Sequence, residues 1–228
     1  MESTVGLPTG GSRSLPVLTR IRKVLGRVRR SFEVNTFDVF VRPVPDEPSF
    51  QAPPGYTFRF GTPADVERCE ERHTELDARE RRAGVLRLGI GHRVVLGLAR
   101  ELPVFTMWVN PRNLNVPGLL KRALRDDQWF IYKAFTSPDH RGKSLYTAGM
   151  AFVLDAMRAE GMRELVGYAH VKKSVSRKGL ARLEFGTAGR MRQVVLPCCT
   201  RTFVSRELAA SFPRALERSN AIPPDSPR

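Results

Sequence analysis

Apolar residues recur along the chain with two periods, and the change from one to the other is sharpest between Trp129 and Gly161. From Trp129 to Thr136 an apolar and aromatic run reads as a strand, which Ser137-Pro138-Asp139 ends by fixing φ and offering side-chain caps. From Leu145 onward, Leu145, Gly149, Phe152, Val153 and Ala156 recur at helical spacing, with Gly161 placed to close the helix. The intervening His140-Arg141-Gly142-Lys143-Ser144 sets backbone N–H groups and two fixed positive charges at a helix N-terminus, an arrangement suited to phosphate.

The same pattern divides the rest of the chain. Residues 1–14 are rich in Gly, Ser and Thr and have no apolar period, which predicts a disordered tail. Within 15–33, Leu18, Ile21, Leu25, Val28 and Phe32 fall three and four apart among arginines. This basic amphipathic helix can dock on the main domain or meet an acidic membrane or partner. Phe37 to Val41 reads as a short strand inside a proline-rich linker at 34–54, where repeated prolines exclude a helix or central strand. The main domain is expected over 55–205.

Inside that domain Tyr56, Phe58 and Phe60 alternate as in a half-buried strand, and Thr62-Pro63-Ala64-Asp65 begins a helix with Val66, Cys69, His73 and Leu76 inward. Glu70 to Arg82, dense in charge, reads as a solvated helical face. His92–Ala99 and Val104–Val109 form a hairpin, and Leu119–Leu124 a short helix. Glu164–Val171 follows the central helix after a short step, so it runs parallel to Trp129–Thr136. Lys172–Arg182 is a weakly anchored helix, Arg190–Leu196 and Thr200–Val204 are the last strands, and 206–228 is a proline-bearing tail.

Length and charge narrow the function. A chain of 228 residues buries one sizeable core, and a net charge of +15 calls for an anionic partner. Nucleic acid is disfavoured, because Trp108, Trp129 and the tyrosines lie mostly in strand runs and no helix-turn-helix or finger spacing occurs. Three cysteines without a CxxC pair give neither a disulfide framework nor a metal site, and suit a reducing compartment. No apolar run approaches the roughly 20 residues that cross a bilayer, and no signal-peptide block opens the chain. The expectation is a cytoplasmic protein, with membrane-peripheral contact through Leu18–Phe32 left open.

The order strand, helix, hairpin, strand, loop, helix, strand, helix, with SPDHRGKSLY in the loop, resembles the GNAT superfamily of acyl-CoA-dependent N-acyltransferases over roughly Tyr56 to Leu196. Arg141 and Gly142 match the family's loop, and Ser144 and Tyr146 take its two later small positions. Lys173, Ser176 and Leu183-Glu184-Phe185 fall on a second motif, with Lys173 in place of Asn and Glu184 in place of Gly. Leu180 stands where many members carry a tyrosine acid, and Lys133 where some place a glutamate base.

The resemblance implies an α+β fold: a central mixed sheet, mostly antiparallel with one parallel strand pair around the coenzyme loop, and helices on both faces. It implies transfer of acetyl from acetyl-CoA to a small-molecule or peptide amine. The backbone of Phe135, Thr136 and Ser137 would meet the pantetheine and thioester, and Arg141, Gly142, Lys143, Ser144, Leu145 and Tyr146 the pyrophosphate, with Ser176 from the second motif. Strand parity adds Tyr168 and His170, which share a face at the C-terminal end of their strand. The histidine could take the amine's proton and the tyrosine protonate the thiolate, although each reads equally well as packing under a helix. Glu101, Asp126 and Asp127 are weaker bases. A non-catalytic acyl-CoA-binding module is the other reading.

Overall fold

The structure, a computed structural model, describes residues 33–116, 119–196 and 199–212. The expected tail at 1–14, the helix Leu18–Phe32 and everything beyond Phe212 lie outside the described residues. The chain divides into two compact units. Of the described residues, one unit holds Glu33–Asn35 together with Gln193–Leu196 and Cys199–Arg201, where Leu196 donates its N–H to the Cys199 carbonyl at 2.8 Å. The other holds Thr36–Arg192 and the chain from Thr202.

In chain order the elements are β1 (Glu33–Pro43), β2 (Tyr56–Phe60), α1 (Pro63–Arg68), α2 (Glu71–Thr74), α3 (Ala78–Gly89), β3 (Arg93–Ala99), β4 (Leu102–Asn110), β5 (Asn113–Val116) and β6 (Leu120–Ala123). Then come β7 (Gln128–Thr136), a 3₁₀ turn (Pro138–His140), α4 (Leu145–Ala159), β8 (Glu164–His170), α5 (Ser174–Arg182), β9 (Gly186–Val195), β10 (Thr200–Val204) and α6 (Arg206–Ser211). The eight-stranded sheet runs β10-β9-β1-β8-β7-β4-β3-β2. β1 with β8, β2 with β3, β3 with β4 and β4 with β7 are antiparallel, whereas β7 and β8 are parallel. This is the α+β mixed sheet that the resemblance implies.

Alternation along the strands sorts side chains into separate cores, because successive residues point to opposite faces. Val95, Phe105, Met107, Val109, Trp129, Ile131 and Leu165 pack with Leu145, Met150, Val153, Leu154 and Met157 of α4 and Leu180 of α5. Their neighbours Val94, Leu96 and Trp108 pack instead with Val66, Cys69 and Leu76 beside α1 and α2. Val39, Phe130 and Val166 pack with Leu114, Val116 and Leu120 of the β5–β6 hairpin and with Leu208 and Phe212 around α6. With both faces covered, the inner strands read as continuous apolar runs.

Four expectations are corrected. The stretch at 34–54 is not simply a linker: β1 lies within it and pairs with β8 from Phe37/His170 to Pro43/Glu164. The prolines begin where that strand ends, as a missing N–H requires. Val66 to Leu76 is not one helix. A short helix ends at Arg68 and another starts at Glu71, with Cys69 and Leu76 still buried. The stretch Leu119–Leu124 holds strand β6, Leu120–Ala123, rather than a helix, since its apolar residues serve the hairpin's contact with the sheet. The tail at 206–228 begins with α6, capped by Ser205, which accepts from the Leu208 N–H. At the start of α1, Thr62 forms the expected cap, and Asp65 answers it by accepting the Thr62 N–H at 2.8 Å.

Candidate active site

The parallel pair of β7 and β8 opens almost at once. β7 and β8 are in register over Gln128/Glu164, Trp129/Leu165 and Phe130/Val166, and the ladder ends there. A β-bulge contributes: Thr106 faces Phe135 and Trp108 faces Tyr132, so Lys133 and Ala134 together oppose Met107. Lys133 takes a left-handed φ of 48°. A bulge bends its strand and unpairs a residue, which carries β7 away from β8. The opening leads into a cleft of about 1510 Å³, walled by β4, β7, β8, α5 and the first turn of α4.

At the back of the cleft the loop delivers its donors. Gly142 has a φ of 76° and Ser144 a φ of 59°, so the backbone turns twice through the left-handed region before α4. Ser144 makes no side-chain cap, and the first helical bond is Ala148 N–H to Ser144 O at 2.9 Å. The N–H groups of Leu145, Tyr146 and Thr147 precede that bond and point with the positive end of the helix dipole into the cleft they line. Tyr146 is the second residue of α4, its ring 3.7 Å from where a Cβ on Gly179 would stand. Burial pushes the Tyr146 phenol up to about 12, so it stays a neutral hydrogen-bonding group at pH 7.

Of the expected site residues, Phe135, Thr136, Arg141, Gly142, Ser144, Leu145, Tyr146, Tyr168, His170 and Ser176 all line the one cleft. Two stand apart. Lys143 lies over the Tyr56 ring with Nζ 6.0 Å from its centroid, and Ser137 is 1 % exposed with its N–H given to Val104 O at 2.8 Å. That last bond decides which peptide faces the opening. Opposed antiparallel pairs alternate between bonded and unbonded, and Phe105 opposes Thr136. Thr136 therefore turns its N–H and C=O away from β4 toward the opening, where its carbonyl accepts from Arg141 Nε at 3.4 Å.

On β8, Tyr168 stacks on Phe130 at 5.8 Å, and His170 meets Phe37 edge-on at 4.8 Å. His170 Nδ1 accepts the Lys172 N–H at 3.0 Å. A neutral ring so held carries its proton on Nε2, which makes that nitrogen a donor. The acidic partner comes from elsewhere. Glu80 of α3 lines the cleft and holds Lys133 Nζ with both carboxylate oxygens at 3.0 Å, and Arg87 with one at 3.0 Å. Sequence reasoning missed Glu80, because nothing in a charge-dense helix distinguishes the one carboxylate that reaches a distant bulge.

Beside the site, the Tyr132 hydroxyl and His92 Nδ1 share a hydrogen bond at 2.6 Å. Burial, then Arg87 and Arg112, push the imidazole down to about 4. An unfolded chain protonates its histidines near pH 6.5 and so binds more protons between there and pH 4. His92 thus costs stability progressively as pH falls through that window. Asp65, held well below the usual carboxylate range by Arg59 at 2.7 and 2.9 Å, adds its own loss below about pH 4. Urea unfolding as a function of pH should show both slopes, with His92→Gln flattening only the first; an unchanged first slope would reject the assignment.

No protein-family model and no curated protein sequence matches the chain. Solved structures do: a protein of the GNAT family from Novosphingobium aromaticivorans aligns with a TM-score of 0.51 at 17% identity, covering 73% of this chain and 66% of that one. A GNAT-family acetyltransferase from Colwellia psychrerythraea aligns with a TM-score of 0.51 at 9% identity, covering 72% and 57%. The chain thus spans about two thirds and just over half of these proteins. Its fold is that of the GNAT acetyltransferases.

Proposed function

We propose that this chain is an N-acetyltransferase that carries an acetyl group from acetyl-CoA to a primary amine of a small molecule or peptide. One observation supports the reading above all: the parallel pair of β7 and β8 opens after three registered residue pairs, onto the uncapped first turn of α4. A long, flexible thioester with a pyrophosphate midway along it suits such a slot. Its diphosphate takes the N–H groups from Gly142 to Thr147 with help from Arg141, and its pantetheine continues the sheet between β7 and β8. The Thr136 N–H is a donor for the thioester oxygen as negative charge gathers there.

The amine attacks the carbonyl carbon as a neutral base. Its proton passes to a carboxylate on the cleft wall, Glu80, directly or through water. His170 Nε2–H and the Tyr168 hydroxyl serve as donors, and either can return a proton to the departing thiolate. Much of the rate comes from positioning, since fixing the amine against the carbonyl removes a large entropic barrier. Isothermal titration with acetyl-CoA tests the binding half, and release of free thiol over a panel of amines tests the transfer half. Absence of heat on titration rejects the coenzyme reading. Heat without thiol release on any amine makes the chain a non-catalytic acyl-CoA-binding module.

A further inference from the structure

We infer that Lys133 is itself an acyl acceptor, modified by the acyl-CoA held in the cleft. The inference rests on the coenzyme reading above. Lys133 sits at the bulge, between Phe130, the last residue of β7 in register with β8, and Thr136, whose N–H faces the opening. Its backbone holds a left-handed φ that a lysine adopts only where surroundings impose it. The long stem carries the ammonium along the cleft wall to Glu80, which grips it through both oxygens. A carboxylate fixing an amine beside an opening that admits a thioester is the arrangement an external acceptor needs, here filled by the chain's own side chain.

The transfer balances without any further reactant. The Lys133 ammonium gives one proton to Glu80, and the neutral nitrogen attacks the thioester carbon. The C–N bond forms as the C–S bond breaks, and the second nitrogen proton goes to the leaving thiolate. The products are an amide on Lys133, free coenzyme thiol and a proton that Glu80 passes to water. Arg87, whose side chain is 8 % exposed, remains on Glu80 afterwards, so loss of the lysine charge strands no carboxylate in the wall. The modification would change the acceptor end of the cleft from a closed ion pair to a neutral amide beside a carboxylate with one cation.

The test uses the full chain with acetyl-CoA, read by intact mass and peptide mapping, and calorimetry of coenzyme binding on the same preparation. Lys173, just before α5, and Lys178 of α5 line the same cleft and serve as internal controls. One acetyl group per chain is expected at Lys133, at least roughly tenfold faster than at either control, and suppressed by excess coenzyme A. Glu80→Gln should slow it about tenfold with coenzyme affinity retained. Lys133→Arg should bind coenzyme and take up no such label. Measured binding with Lys133 acetylated no faster than Lys173 and Lys178 overturns the inference and leaves the coenzyme reading standing. Absence of binding overturns both.

Discussion

Gly149→Ala lowers stability by about 2 kcal/mol, although the same change in an ordinary helix raises it by up to about 1 kcal/mol. The reversal comes from Phe105. A Cβ on Gly149 would lie 2.5 and 2.7 Å from two ring carbons of Phe105, which is fully buried on β4. The ring has little room to retreat, since it is buried in the core and packs against the Phe58 ring at 5.9 Å between centroids. Gly149 thus makes room for the ring, and that contact sets how closely α4 approaches the sheet. Urea unfolding of Gly149→Ala, Phe105→Leu and the double variant measures it. The cost of Gly149→Ala should shrink in the Phe105→Leu background; a neutral or stabilising Gly149→Ala would refute the packing argument.

Arg141→Glu should weaken acetyl-CoA binding about a hundredfold, since it replaces a charge-assisted contact to phosphate with repulsion. Folding should be little affected. Arg141 is exposed, and the hydrogen bond it makes, to Thr136 O, is long at 3.4 Å. Titration calorimetry paired with a thermal melt separates the two effects. Equal affinity in variant and parent would remove Arg141 from the coenzyme site, and a collapsed melting temperature would make the loop structural. The readout falls on binding and leaves the acceptor end of the cleft untouched.

The central unit was legible because its signals are local. A strand, a Ser-Pro-Asp stop, a glycine loop and a helical period each depend on residues close in sequence, and β7, α4 and β8 appear where those signals place them. Leu119–Leu124 misled because six apolar and basic residues fit a helix turn or a hairpin strand equally well, and the choice is made by the core that Leu114, Val116 and Leu120 help to close.

By itself the sequence determined the α+β order of elements, the parallel strand pair and the glycine-bearing loop ahead of the central helix. These follow from periodicity, turn chemistry and chain direction. Only the tertiary structure decided which groups face the opening. The hydrogen bond from Ser137 to Val104 turns the Thr136 peptide outward, the Lys172 N–H sets His170 as a donor, and α3 brings Glu80 to Lys133 across 53 positions of chain. Such pairings depend on strand register and helix placement, which contacts among many distant residues fix together.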